Sequence, residues 1–131
     1  MLEEIFGPWR NYALFVLRLF VGIVFLTHGA LKLFGGLDIF AGYLARHGVP
    51  MAGLMAPAVA GIEFFGGLGI LLGTGTRMAA LLLTGVMVVA MLTVTLTVGF
   101  AGGYDFNLAL MGGLLCLLLA GPGKPAMGGD L

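Results

Sequence analysis

Ionisable side chains are scarce in this sequence, and several fall where charge is expensive. Arg18, His28 and Lys32 occur within one long apolar stretch, Glu63 sits in the middle of a second, and Tyr104, Asp105 and Asn107 open a later one. Advanced at about 100 degrees per residue, the three basic residues fall within an arc of about 80 degrees and share one helix face. A charge near the centre of a bilayer costs about 3 kcal/mol or more, so each needs a partner or a polar cavity. One chemistry open to them is ion pairing that fixes helix register. An antiparallel second span puts Glu63 between the heights of Arg18 and His28, within about 8 Å of either. The long stem of arginine makes Arg18 its expected partner, and Lys32 with Asp105 is the second expected pair, nearer the interface. The other chemistry is recognition: His28, Glu63, Tyr104, Asp105 and Asn107 form a candidate polar pocket for a small polar headgroup.

Other chemistries find little support. Paired axial ligation of haem needs two histidines in register, whereas His28 lies in a span and His47 in the connection that follows. No cluster of ligands at helical spacing suggests a metal, and no glycine-rich phosphate loop or nucleophile elbow is present. The single Cys116 excludes an intrachain disulfide or a CxxC pair. Six basic and six acidic residues balance to zero net charge, which argues against a nucleic-acid partner.

The elements that must position these residues follow from composition. Hydrophobic residues make up 60% of the chain and charged residues 9%, with a mean hydropathy of +1.13, so most of the surface is built for lipid rather than water. Four segments are long enough to cross about 30 Å of hydrocarbon: roughly residues 12–34, 54–73, 77–99 and 105–121. The first continues through Arg18 to Lys32 without a small-residue cleavage site, so it reads as a retained span and not a secretory signal. Only Gly73, Thr74, Gly75 and Thr76 separate spans two and three, which must form an antiparallel hairpin. Between spans one and two, Phe40, Tyr43, Leu44 and His47 recur at helical spacing. That pattern predicts a short interfacial helix over residues 38–47, stopped by Gly48 and Pro50, with an ordered loop as the alternative. Asp105 is the expected N-cap of span four, and Gly121-Pro122-Gly123 its stop.

The expected fold is therefore an all-α, integral-membrane four-helix bundle with one interfacial helix, a single domain over residues 1–131. Both termini share a side with Arg77. Arg10, Arg77 and Lys124 there, against Lys32 and Arg46 opposite, favour cytoplasmic termini. Of the 24 glycines, Gly69 with Gly73 has the spacing of a close helix contact, and Thr93 and Thr97 read as donors between helices.

Three stretches carry a family pattern: Arg18, Gly22, Phe25, His28, Gly29, Lys32 and Leu33; then Glu63, Gly66, Gly67 and Leu68 through Gly73 to Arg77; then Gly121-Pro122-Gly123 followed by Asp130. On these the chain resembles the DoxX family of small four-span membrane proteins. The resemblance implies a multi-pass protein of the bacterial inner membrane associated with redox metabolism of thiols, sulfur or oxidative stress. It further implies a quinone-interacting or anchoring subunit, an accessory to an oxidoreductase, with no intrinsic cofactor and with quinone as the ligand. Membrane-associated redox proteins would be its partners alongside lipids, and a homo-oligomer is compatible with its glycine-rich faces. The alternative is a non-catalytic scaffold or assembly factor that works through helix packing alone.

Overall fold

The computed structural model describes residues 1–129; Asp130 of the family pattern lies outside the described residues. Those residues contain helices α1 (Leu2–Phe6), α2 (Ala13–Gly35), α3 (Leu37–Arg46), α4 (Ala52–Leu72), α5 (Thr76–Ala90), α6 (Leu96–Val98) and α7 (Asp105–Ala120), and no strand. Four helical stretches are long and apolar enough to cross a membrane: Leu2–Gly35, Ala52–Leu72, Thr76–Val98 and Phe100–Ala120. The first is longer than its apolar run because α1 and a 3-10 segment, Gly7–Tyr12, feed into α2. Fewer than a third of the residues in each span are buried. Phe34, Phe65 and Leu119 point outward, exposing the apolar surface that hydrocarbon would cover.

The predicted interfacial helix is present as α3. Gly36, at φ 155°, breaks α2 and turns the chain aside. Leu44 of α3 then packs with Val49 and Ala56, an apolar contact that an extended loop would not make. In the short hairpin, Gly73 and Gly75 both adopt left-handed conformations. Thr74 donates its N–H to the Gly69 carbonyl, so Gly69 and Gly73 close a helix end. That replaces the helix-to-helix contact expected of them.

The spans close into a ring: α2 packs most extensively on α4, α4 on α5, α5 on α7, and α7 returns to α2. Val21, Phe25, Ile70, Leu83, Leu114 and Leu117 fill its core. The third span is interrupted by a π-helical turn, Met91–Thr95, before α6. A kinked segment, Phe100–Tyr104, with non-helical dihedrals at Ala101, Gly102 and Gly103, leads into α7. Beyond α7 the chain folds back, and Met127 and Gly128 donate their N–H groups to the carbonyls of Leu72 and Gly73. The start of α2, the α4–α5 turn and the tail thus share one end of the bundle, and α3 caps the other.

Candidate functional site

Close approach of α2 and α4 sets the site. A Cβ at Gly29 would collide with the backbone of Glu63 and Phe64, one at Gly67 with that of Phe25 and Leu26, and one at Gly22 with Leu71. Backbones this close leave no room for slippage, and the three contacts define one antiparallel register. Glu63 lies level with Ala30 in that register, within about one turn of Lys32 and about 18 Å along the axis from Arg18. Lys32 Nζ accordingly donates to Glu63 Oε2 at 2.6 Å, with the glutamate 3% exposed and the lysine 24%. The ammonium also stands 4.7 Å from the centre of the Phe40 ring on α3.

Both expected pairings are thereby corrected. Arg18 does not meet Glu63, because the glycine contacts shift α4 by about two turns from the register that matching span ends would give. Its guanidinium, 1% exposed, donates instead through Nε to the Ile70 carbonyl at 3.0 Å and through Nη1 to those of Pro122 and Pro125 at 2.7 and 2.8 Å. Asp105 does not meet Lys32. Its Oδ1 accepts from the Phe106 N–H at 2.7 Å and its Oδ2 from the Gly102 N–H at 3.2 Å. The acid is held at the start of α7, where the helix dipole favours it, but it occupies the first turn, with Tyr104 at the cap position.

Beside the ion pair is a cavity of about 630 Å³, walled by α2, α4, α5 and α7 and overlain by α3. His28, Lys32, Glu63 and Asn107 line it amid apolar side chains such as Met55, Ile62 and Val86. The structure brings together three of the five predicted pocket residues, His28, Glu63 and Asn107. Tyr104 and Asp105 are not in the lining: the kink before α7 sets Tyr104 edge-to-face with Phe100, with ring centres 5.3 Å apart, and Asp105 is spent on backbone N–H groups. A second, wider hollow lies beneath the tail, lined by Asn11, Tyr12 and residues of the 122–129 segment, and contains none of the intramembrane polar groups.

Two polar atoms at the first cavity meet no hydrogen-bond partner among the described residues. Asn107, 2% exposed, donates through Nδ2 to the Met87 carbonyl at 3.3 Å, with the Met87 sulfur 3.7 Å away, and its Oδ1 receives nothing. Thr95 Oγ1, in the π turn, is likewise buried and unpaired. Such an atom costs about 1–3 kcal/mol, so two of them at one cavity are what a ligand or ordered water would relieve. A π turn inside a transmembrane helix often marks a functional site.

Lys32, Thr95 and the α3 residues Phe40 and Tyr43 also line this cavity, though sequence reasoning left them out of the pocket. The signal for Thr95 was available in the alternation of Thr93, Thr95 and Thr97, which suits no regular helix face. Thr93 and Thr97 themselves do not bridge helices. Their hydroxyls donate to the Val89 and Val94 carbonyls of their own span, at 2.7 and 2.5 Å.

The sequence matches known membrane proteins. Residues 13–96 match the DoxX family. A Bacillus subtilis (strain 168) protein named "Putative oxidoreductase CatD" is 32% identical over 106 residues, covering 81% of this chain and 77% of that protein. The inner membrane protein YqjF of Escherichia coli (strain K12) is 39% identical over 123 residues, covering 87% and 88%. A membrane protein of Mycobacterium tuberculosis, Rv3486, is 33% identical over 121 residues, covering 82% and 74%. No solved structure gives a significant match.

Proposed function

Since this chain belongs to the DoxX family of membrane proteins, we propose that the cavity beneath α3 binds a quinone-class headgroup and that the protein is the membrane subunit of a redox complex. One observation carries the reading: about 630 Å³ of largely apolar space holds a few convergent polar groups, His28, Lys32, Glu63 and Asn107. A cavity of that size suits a small aromatic ring, and its polar groups suit the ring oxygens. The name of the CatD relative, an oxidoreductase, points the same way.

His28 makes no side-chain hydrogen bond among the described residues and stands 5.9 Å from Phe106, ring centre to ring centre. It is therefore free to bond one ligand oxygen. Lys32 and Glu63 hold each other in place and fix one wall of the site. When bound, the quinone–quinol couple would supply the electron-transfer chemistry, and this chain would supply position, orientation and exclusion of water. Electrons would be exchanged with a membrane-associated partner. The whole chain acts as one domain in the inner membrane, with its termini cytoplasmic by the distribution of Arg10, Arg77 and Lys124.

A short-tailed quinone should raise the melting temperature of the purified protein, since a ligand that binds only the folded state stabilises it. His28→Ala should abolish that rise and leave unliganded melting within a few degrees of wild type. If no quinone shifts the melting of the wild type at saturation, the scaffold reading takes its place.

A further inference from the structure

Of the two unpaired atoms beside the cavity, the Thr95 hydroxyl can donate or accept and serves either form of a quinone-class ring, whereas Asn107 Oδ1 can only accept. Asn107 is fixed in orientation, because the Met87 carbonyl and the Met87 sulfur both accept, so the amide nitrogen must face them. Oδ1 is left as a buried acceptor without a donor. Glu63 is acceptor-only when ionised; its Oε2 is taken by Lys32, and its Oε1 receives no hydrogen bond from the described residues. Lys32, with three N–H groups, donates one to Glu63 and sets its charge against the face of Phe40. At Asn107 and at the free oxygen of Glu63, the unspent capacity is capacity to accept.

A quinone ring presents two carbonyl oxygens and can only accept. The corresponding quinol presents two hydroxyls that donate, on a ring of nearly the same volume. Size cannot separate the two forms in this cavity, whereas hydrogen-bond polarity can. His28, with one donor and one acceptor nitrogen when neutral, serves either form and does not decide between them.

Resting on the reading of the cavity as a quinone-class site, we infer that it selects the reduced, hydroxyl-bearing form, with one ring hydroxyl donating to Asn107 Oδ1. Asn107 is then a specificity-determining residue. A site that buries an acceptor rejects ligands that bring no donor, because they leave that acceptor unpaired.

Three probes of one shape test this: a decyl-substituted hydroquinone kept reduced under argon, its quinone, and its dimethyl ether. Each is titrated into the detergent-solubilised full chain, with melting temperature and direct binding as readouts. The hydroquinone should bind at least about tenfold more tightly than either of the others. In Asn107→Leu that preference should collapse, with the affinity for the quinone little changed. Should the variant fail to fold, the wild-type contrast between hydroquinone and dimethyl ether decides alone. Equal binding of quinone and hydroquinone overturns the selectivity and leaves the quinone-class site standing. Binding of none of the three overturns the site itself. A tenfold preference that survives Asn107→Leu removes Asn107 from the role and overturns the inference as drawn.

Discussion

Glu63 shows what one residue can and cannot announce. A carboxylate in the middle of an apolar span demands a cation, and the sequence offers Arg18 and Lys32 on one face of the neighbouring helix. Which of the two it meets depends on a displacement of about two turns, which no side-chain type encodes. The contact with Lys32 has a measurable consequence. Lys32→Met should leave a carboxylate that is 3% exposed without its partner and destabilise the protein by about 3 kcal/mol. Lys32→Met combined with Glu63→Met should recover much of that loss. A double-mutant cycle by thermal unfolding reads the coupling; the same cycle with Arg18 in place of Lys32 should be additive. Arg18 has its own part to play, because its guanidinium binds carbonyls of α4 and of the returning tail. Arg18→Lys should not substitute for it, since an ammonium on a shorter reach cannot serve all three carbonyls as the planar fork does. In either Arg18→Lys or Arg18→Gln, a cysteine placed at residue 127 in a Cys116-free background should label several-fold faster than in the parent, as the tail comes free.

Among the elements, the α2–α4 pair governs the site. Gly29 and Gly67 let two backbones touch, and that contact sets the height of Glu63 opposite Lys32. A methyl group at either position has nowhere to go except into the backbone of the facing helix, so the helices must separate or slide. Gly29→Ala should therefore cost about 1–3 kcal/mol, more than Gly61→Ala or Gly112→Ala, whose added carbons would meet open space. It should also weaken quinone-class ligands, because the ion pair in the cavity wall is displaced with it. Unfolding and ligand titrations on the same three variants test both halves. Helix α3 and the π turn at Met91–Thr95 act on the same cavity from other sides, the first by covering it and the second by widening the third span at Thr95.

At the scale of the whole molecule, the chain threads its spans so that the tail returns to the end where α2 begins. Single cysteines at residues 2 and 127 should react from one side of the membrane, and a cysteine at residue 46, at the end of α3, should react from the other. Labelling of residues 2 and 46 from the same side would refute the four-span threading. Reversal of both would change only the orientation inferred from Arg10, Arg77 and Lys124. The cavity lies in the half of the bundle that α3 covers, so a ligand would arrive from the membrane or from the side that residue 46 faces.

The sequence by itself determined the membrane class, the four spans, the helical segment between the first two and the hairpin at Gly73 to Thr76. Each of these follows from local quantities: runs of apolar residues long enough for a bilayer, periodicity, and glycines or prolines that stop helices. His28, Glu63 and Asn107 were visible as candidates because polar groups in apolar runs need a reason. Their partners were not visible. Tertiary packing decided that Lys32 and not Arg18 neutralises Glu63, that Asp105 serves the start of α7, and that Thr95 and Asn107 keep unpaired atoms at one cavity. The reason is geometric: a helix sequence fixes which residues share a face, but the axial offset between two helices is set by where their backbones can touch, here at Gly22, Gly29 and Gly67.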